Sequence, residues 1–311
     1  MKNKHFLIAA ATILIALLVL AAPARAQDAK SDAIAKEIEQ MTWLENTTVT
    51  LPDSHGRLII PDDYAAIVGH DAIRMLEITN GKPSNKKSEA NVFSSDLKAQ
   101  IDFDFVGTGY VSEDDWNTFD PKALLQSVIE ATEEQNKERR AEGLPEMHVV
   151  KWLHQPTYNI SNHTAFWAIQ GTDSNGGGIV NSTALRLGRT GFERLVLIED
   201  IKDYKPVGSP LDLMLASFSF SPGDTYEDHL NTDKIAGYGI AALVGTVVGA
   251  KVVKATAAGG LTPFFKQIAV FFAAVLGILL APIIWLKSRF KRRKCAAGKA
   301  PLLSKNESTQ N

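Results

Sequence analysis

Apolar and polar residues take turns along residues 101–105, where Ile101, Phe103 and Phe105 alternate with Asp102 and Asp104. A period of two predicts a strand with one apolar and one wet face. Residues 47–51 and 58–61 are strand-like and flank the turn cluster Pro52-Asp53-Ser54-His55-Gly56, which predicts a hairpin. Four further strand patterns follow at residues 147–154, 163–171, 179–187 and 191–199, joined by connections short enough for antiparallel neighbours. In the second of these, Ala165, Trp167 and Ile169 point one way and Phe166 and Ala168 the other. That strand is expected to be central, with both faces covered.

A period near 3.6 marks the helices. Asp120-Pro121 supplies a cap and a first-turn proline, Leu124, Leu125, Val128 and Ile129 form an apolar stripe, and Gly143 with Pro145 supplies the stop, predicting a helix over 121–142. Its later half, 133–140, is charged all round and is expected to project into water. Ser209-Pro210 starts a short helix through 217 in the same way; residues 72–78 form a weaker one, residues 31–41 look polar and helical, and 82–91 read as a loop. One long helix, a run of antiparallel strands and a closing helix define an α+β fold, an antiparallel sheet with helices packed on it.

Two segments are too apolar for such a domain. Residues 1–26 have the three parts of a secretory signal peptide: Lys2 and Lys4, an apolar run over 6–20, and Ala24-Arg25-Ala26 ahead of Gln27, with cleavage expected after Ala26. Residues 268–286 carry no charge, close to the ~20 residues that cross ~30 Å of hydrocarbon as a transmembrane helix. Lys287, Arg289, Lys291, Arg292, Arg293 and Lys294 follow at once. This positive cluster places the C-terminus in the cytoplasm and the folded domain outside it, on a single-pass anchor in the plasma membrane. Residues 27–234 then form an extracytoplasmic domain, 235–267 a glycine-rich juxtamembrane or re-entrant segment, and 287–311 a basic cytoplasmic tail. The Gly245 to Gly249 spacing is a close-packing pattern for helix association.

Charge is divided unevenly. Residues 27–266 carry 22 Lys and Arg against 34 Asp and Glu, a net of −12, while residues 287–311 carry 8 basic residues against Glu307, a net of +7. An acidic outer domain argues against nucleic acid as a partner. The single cysteine, Cys295, lies in the basic tail, so packing and not disulfides must stabilise the outer domain.

Chemical motifs are sparse. Asp102, Asp104, Gly107 and Glu113 match four positions of a calcium loop, but Val106 stands where an oxygen ligand belongs and the run begins inside a strand, so these carboxylates read as solvated. His148, His154 and His163 have no metal-ligand spacing, and the first two lie too far apart on one regular strand to share an ion. No nucleophile elbow, phosphate loop or Ser-x-x-Lys run occurs. The motifs therefore offer no catalytic residue, cofactor site or metal-ligand set. Two places remain for recognition. Glu113-Asp114-Asp115-Trp116 with Tyr110 sets carboxylates beside aromatic rings, and Arg186 with Arg189 could grip an anion; a turn, and ion pairs to the domain's own acids, would explain the same residues.

Several short motifs are more specific in their order than any is alone: Gly109-Tyr110-Val111-Ser112-Glu113-Asp114-Asp115, Asn136 with Arg139 or Arg140, Trp152 with Pro156 and Tyr158, Arg186-Leu187-Gly188-Arg189-Thr190-Gly191, and Asp233-Lys234-Ile235-Ala236-Gly237-Tyr238-Gly239. In this order they resemble a bacterial family of predicted membrane-anchored proteins, the domain of unknown function numbered 2167. The family pattern often has a lysine after Gly-Tyr-Val, where this chain has Ser112. The resemblance implies a signal peptide, an outer domain and a C-terminal anchor, and brings no catalytic residue, cofactor or substrate. The expectation is a membrane-anchored binding or scaffold module of the bacterial cell envelope, meeting an envelope protein partner through Tyr110, Glu113, Asp114, Asp115, Trp116, Arg186 and Arg189. The alternative is an envelope hydrolase whose carboxylates and histidines meet only in the fold.

Overall fold

The computed structural model describes residues 33–80, 88–96, 98–118, 120–141, 143–173 and 176–249; the expected signal peptide, membrane span, basic tail and Cys295 lie outside them. Two antiparallel sheets and five helices make an α+β fold among the described residues. Strands β1 (Thr48–Thr50), β2 (Arg57–Ile59) and β10 (Phe218–Ser219) form a small sheet in the order β1-β2-β10. The larger sheet comprises β3 (Tyr64–Val68), β4 (Ala90–Ser94), β5 (Gln100–Val106), β6 (Met147–Asn159), β7 (Thr164–Asp173), β8 (Gly178–Leu187) and β9 (Phe192–Asp200). Its order, β3-β4-β5-β9-β8-β7-β6, is two meanders joined where β9 pairs with β5. Helices α1 (His70–Asn80), α2 (Pro121–Ala141), α3 (Pro210–Ser217) and α4 (Ile240–Val248) pack on it, and residues 33–40 are also helical.

Period-2 alternation feeds separate cores on the two faces of the large sheet. Phe103, Leu195, Ala184 and Phe166 face the small sheet and α3, where Leu51, Leu58, Leu211, Met214 and Phe218 are buried. Trp167, Leu185, Leu187 and Phe192 face the other way, under Leu124 and Val128 of α2 and Ile240, Leu243 and Val244 of α4. A third cluster joins Ile67 and Phe93 to Met75 of α1 and to Ile38 and Met41. Strand β7 is flanked on both sides and contributes to two of these cores, as its two apolar faces predict.

Asp120 caps α2, its Oδ1 accepting the amides of Lys122 and Ala123. The later half of this helix is in water on one face only: Glu133, Glu134, Lys137, Glu138 and Arg140 are exposed, and Asn136 and Arg139 are buried. Asn136 is fully buried, donating to the Met147 carbonyl at 2.7 Å and accepting the Met147 amide at 2.9 Å, while Arg139 donates to the Pro145 carbonyl at 2.6 Å. The polar residues there read as surface, yet they dock the helix end onto β6. Strand β6 itself runs on through Pro156, where a connection is expected. An edge strand tolerates proline, and the register with β7 shifts between His154 and Thr157.

Asp102 and Asp104 are not on a wet face. Each is only 8% exposed. Asp102 accepts from Ser88 at 2.5 Å and from Asn91 at 3.1 Å, and Asp104 pairs with Arg194. Strand β4, in a stretch read partly as loop, is buried along its whole length because its polar side chains are satisfied from outside the strand: Asn91 donates to Ser88 and Asp102 and accepts from Gln100, and Ser94 donates to Asp96.

The described part of the glycine-rich stretch packs into the domain: residues 240–248 form a helix whose Ile240, Leu243, Val244 and Val248 are 3% exposed or less. Each such side chain contributes roughly 1.5–3 kcal/mol of burial, enough together to make α4 a core element of the domain. Gly245 lies against Leu124 of α2, and Gly249 ends the helix with φ +93°, so the spacing read as a self-association pattern serves packing and capping within the chain. Among the described residues no helix is long and apolar enough to cross a membrane.

Candidate functional site

The loop of residues 107–118 leaves β5 and is fastened to residues 234–240. Gly109 adopts φ +103°, and a Cβ on it would stand 2.6 Å from the Lys234 carbonyl oxygen. Only glycine admits so close an approach. The Tyr110 amide then donates to the Lys234 carbonyl and the Ala236 amide to the Tyr110 carbonyl, both at 2.8 Å, and the Ile240 amide reaches the Ser112 carbonyl at 2.9 Å.

Tyr110 thereby enters a column of four stacked rings. His163 lies on Tyr226 with centroids 4.2 Å apart, Tyr226 on Tyr110 at 4.5 Å, and Tyr110 on His229 at 3.8 Å. These rings come from the β6–β7 turn, the short 3-10 helix Tyr226–Asp228, the 107–118 loop and the residue after that helix. The Tyr226 hydroxyl donates to the Val111 carbonyl at 2.8 Å. Burial, then the hydrogen bond to Tyr110, raises the Tyr226 phenol well above its ordinary range.

Carboxylates close both ends of the column. Glu113 Oε2 accepts the Tyr158 hydroxyl at 2.5 Å and lies 3.2 Å from His163 Nδ1, while His163 Nε2 lies 3.0 Å from Glu227 Oε1. Only the doubly protonated ring can donate at both nitrogens. Burial first, then the bond to Glu113, raises the Tyr158 phenol far above its ordinary range. The Glu227 backbone amide holds the Glu227 carboxyl below its ordinary range; burial opposes this, and the Thr225 hydroxyl and His163 assist it. His163 sits at φ +49°, a left-handed conformation that histidine adopts more readily than most residues. At the far end His229 Nδ1 lies 3.5 Å from Asp233 Oδ2.

Of the residues expected to form a surface, the fold gathers Tyr110, Glu113 and Trp116, the last packed at 5.6 Å against Tyr158. Asp114 is exposed beside them and bonds only within its turn, to Ser112 at 2.8 Å. Asp115 turns inward to α4. Neither aspartate is paired with a histidine among the described contacts; Glu113 is. The Arg189 fork is taken by Asp233, with Nε and Nη2 donating at 2.7 and 2.8 Å. Arg186 points elsewhere, donating to Thr164 Oγ1 at 2.6 Å and to the Leu215 carbonyl at 3.4 Å. The two arginines thus form no joint anion grip.

His148 pairs with Glu133 and His154 packs edge-on against Phe166, so the three histidines do not converge. Among the described residues no group of three His, Cys, Asp or Glu side chains is arranged to hold a metal ion. Tyr158, His163, Tyr226, Glu227 and His229 complete the site and were not in the expected surface. Tyr158 stands out by its motif and His163 as one of three histidines weighed for a metal, but neither they nor the others carry a local signal for this site, because their partners lie up to 115 residues away.

No curated protein matches the sequence. Among solved structures, the solution structure of cyanobacterial PsbP (CyanoP) from Synechocystis is similar with a TM-score of 0.34 at 5% identity, over 58% of this chain and 92% of that one. Residues 44–283, which include the loop, the ring column and α4, match the family described as "Protein of unknown function (DUF2167)", and the chain belongs to that family.

Proposed function

We propose that the chain is a membrane-anchored binding or scaffold module of the bacterial cell envelope. Residues 1–26 direct export, residues 268–286 span the plasma membrane once, the α+β domain lies on the periplasmic side and the basic tail in the cytoplasm. The supporting observation is the surface around the ring column. Half-exposed Tyr110, Trp116 and Tyr158 stand beside Glu113, exposed Asp114 and Glu227, on a loop tied to the core by backbone hydrogen bonds. A rigid surface of rings and carboxylates suits a partner that brings a cationic group.

Crosslinking the intact protein in its native membrane, followed by mass spectrometry, tests this reading. The expected result is one envelope protein captured by the wild-type chain and lost in an Asp114→Asn, Glu227→Gln double variant of unchanged melting temperature. Equal capture by both would sink the assignment of this surface. Cys295 tests the topology: a membrane-impermeant maleimide should label it only after the inner membrane is opened, and labelling in intact spheroplasts would reverse the orientation.

The contact of His163 with two carboxylates favours the second reading, an envelope hydrolase. A hydrolytic activity of the full-length protein that His163→Gln abolishes without unfolding would establish it. Activity that survives this change would place the chemistry elsewhere.

A further inference from the structure

On the opposite face of the sheet, under the turn between β1 and β2, two glutamates are shut away from water: Glu89, 1% exposed, and Glu193, 0% exposed. Glu89 Oε1 accepts the backbone amides of Asp53 and Ser54, the latter at 2.6 Å, and so holds the hairpin turn. Its Oε2 and both oxygens of Glu193 are buried with no hydrogen bond of normal geometry among the described residues, and Glu193 is bordered by the Glu89 carboxyl and the Ser54 hydroxyl. As two carboxylates the pair is repulsive, and the Ser54 hydroxyl, with one proton, can serve only one of its three open oxygens; as one acid and one carboxylate the pair supplies a donor of its own.

Among the described residues no basic side chain pairs with either carboxyl group. Asp104 on β5 adds a negative group, neutralised by Arg194. Arg186, directly across from Glu193 on β8, turns its guanidinium to Thr164 and Leu215. On the hairpin turn, Asp53 is exposed, the Ser54 hydroxyl approaches Glu193, and His55 is exposed beside Asp224. Burial, and then the charge of Glu89, hold the Glu193 carboxyl well above the usual carboxylate range.

We propose that Glu89 and Glu193 share one proton and form a pH-sensitive latch, clamping the β1–β2 turn to the large sheet until rising pH removes that proton. A carboxyl raised in the fold contributes its stability at low pH and loses it as pH climbs through the folded titration. The latch therefore holds in acid and loosens toward alkali.

Amide hydrogen exchange of Asp53 and Ser54 in the full-length protein in detergent, taken relative to β8 and corrected for intrinsic rate, reads the latch directly. The hairpin-to-β8 ratio should rise about tenfold per pH unit between the ordinary glutamate range and the titration of the pair. Glu193→Gln, whose amide can donate to Glu89 at every pH, should flatten that rise. A pH-independent wild-type ratio, or an unchanged slope in Glu193→Gln, would overturn the proposal. Should that variant fail to fold, infrared spectra in a Glu199→Gln background decide. A protonated-carboxyl band must persist at neutral pH and vanish as the hairpin amides begin to exchange, and absence of the band refutes the shared proton.

Discussion

Asp115 caps a helix that begins more than a hundred residues further along the chain: its Oδ1 accepts the Ala241 amide at 3.0 Å and its Oδ2 faces the Ala242 amide at 3.4 Å. Gly239, the residue at the cap position of α4, has no side chain for this task, and a Cβ there would lie 2.4 Å from the Asp115 carboxylate. A capping carboxylate satisfies amides that the helix leaves open and favours the positive end of its dipole. Asp115→Ala is expected to lower stability by about 1–2 kcal/mol, whereas Asp114→Asn should change it by less than ~0.5 kcal/mol. Denaturant midpoints of the two variants check this, and equal losses would mean that neither carboxylate acts as a cap.

The Arg189–Asp233 fork predicts an acid-dependent contribution. The guanidinium and the Leu230 amide hold the Asp233 carboxyl well below the usual aspartate range. A depressed carboxyl contributes stability above its unfolded titration and loses it as pH falls through the folded one. Arg189→Ala should therefore melt below wild type at neutral pH, with the gap closing as the solution is acidified. A gap that stays constant into strong acid would assign the loss to packing.

Glu199 behaves in the opposite sense. It is 4% exposed, and burial, followed by the nearby charge of Asp203, pushes its carboxyl up to about 7. Stability falls as pH rises from the ordinary glutamate range to that value, because the unfolded chain gives up its proton first. Glu199→Gln should match wild type in acid and exceed it above neutrality by up to roughly 3 kcal/mol, one pKa unit being about 1.4 kcal/mol. Melting temperatures across this window test the sign; parallel curves would place Glu199 in water.

Gly245 separates packing inside the chain from association between chains. A Cβ there would meet Leu124 Cδ1 at 3.9 Å, an ordinary contact, so Gly245→Ala fits and should gain up to ~1 kcal/mol of helix propensity. Gly245→Leu overfills the α2–α4 contact and should cost about 1–3 kcal/mol. Thermal melts read both. A leucine variant that melts with wild type but loses self-association would restore the role of these glycines between chains.

Elements whose signal is local were legible. The β1–β2 hairpin, α2, α3 and the β6–β9 meander each announce themselves by period, cap or turn within a few residues. Alternation at Asp102 and Asp104 correctly placed the two on one face, but period alone does not say whether that face is wet. Ser88, Asn91 and Arg194, which bury them, lie outside β5, before and in β4 and in β9. The same blindness hid β4, whose Asn91 and Ser94 look like loop residues until their partners are known. At the site, Tyr110, Glu113 and Trp116 stood out as a run. Their companions Tyr158, His163, Tyr226 and His229 join through stacking and hydrogen bonds that no spacing rule describes.

Because Tyr110 is bracketed by Lys234 and Ala236, and the α2 side of the large sheet is roofed by α4, the core on that side is incomplete without the last residues of the domain. Were the chain exported N-terminus first, as proposed, that core would stay open until residue 248 had followed, and folding there would wait on the end of translocation. Fragments cut near residue 230 would lack that roof, and a soluble version of the domain must extend at least to Gly249.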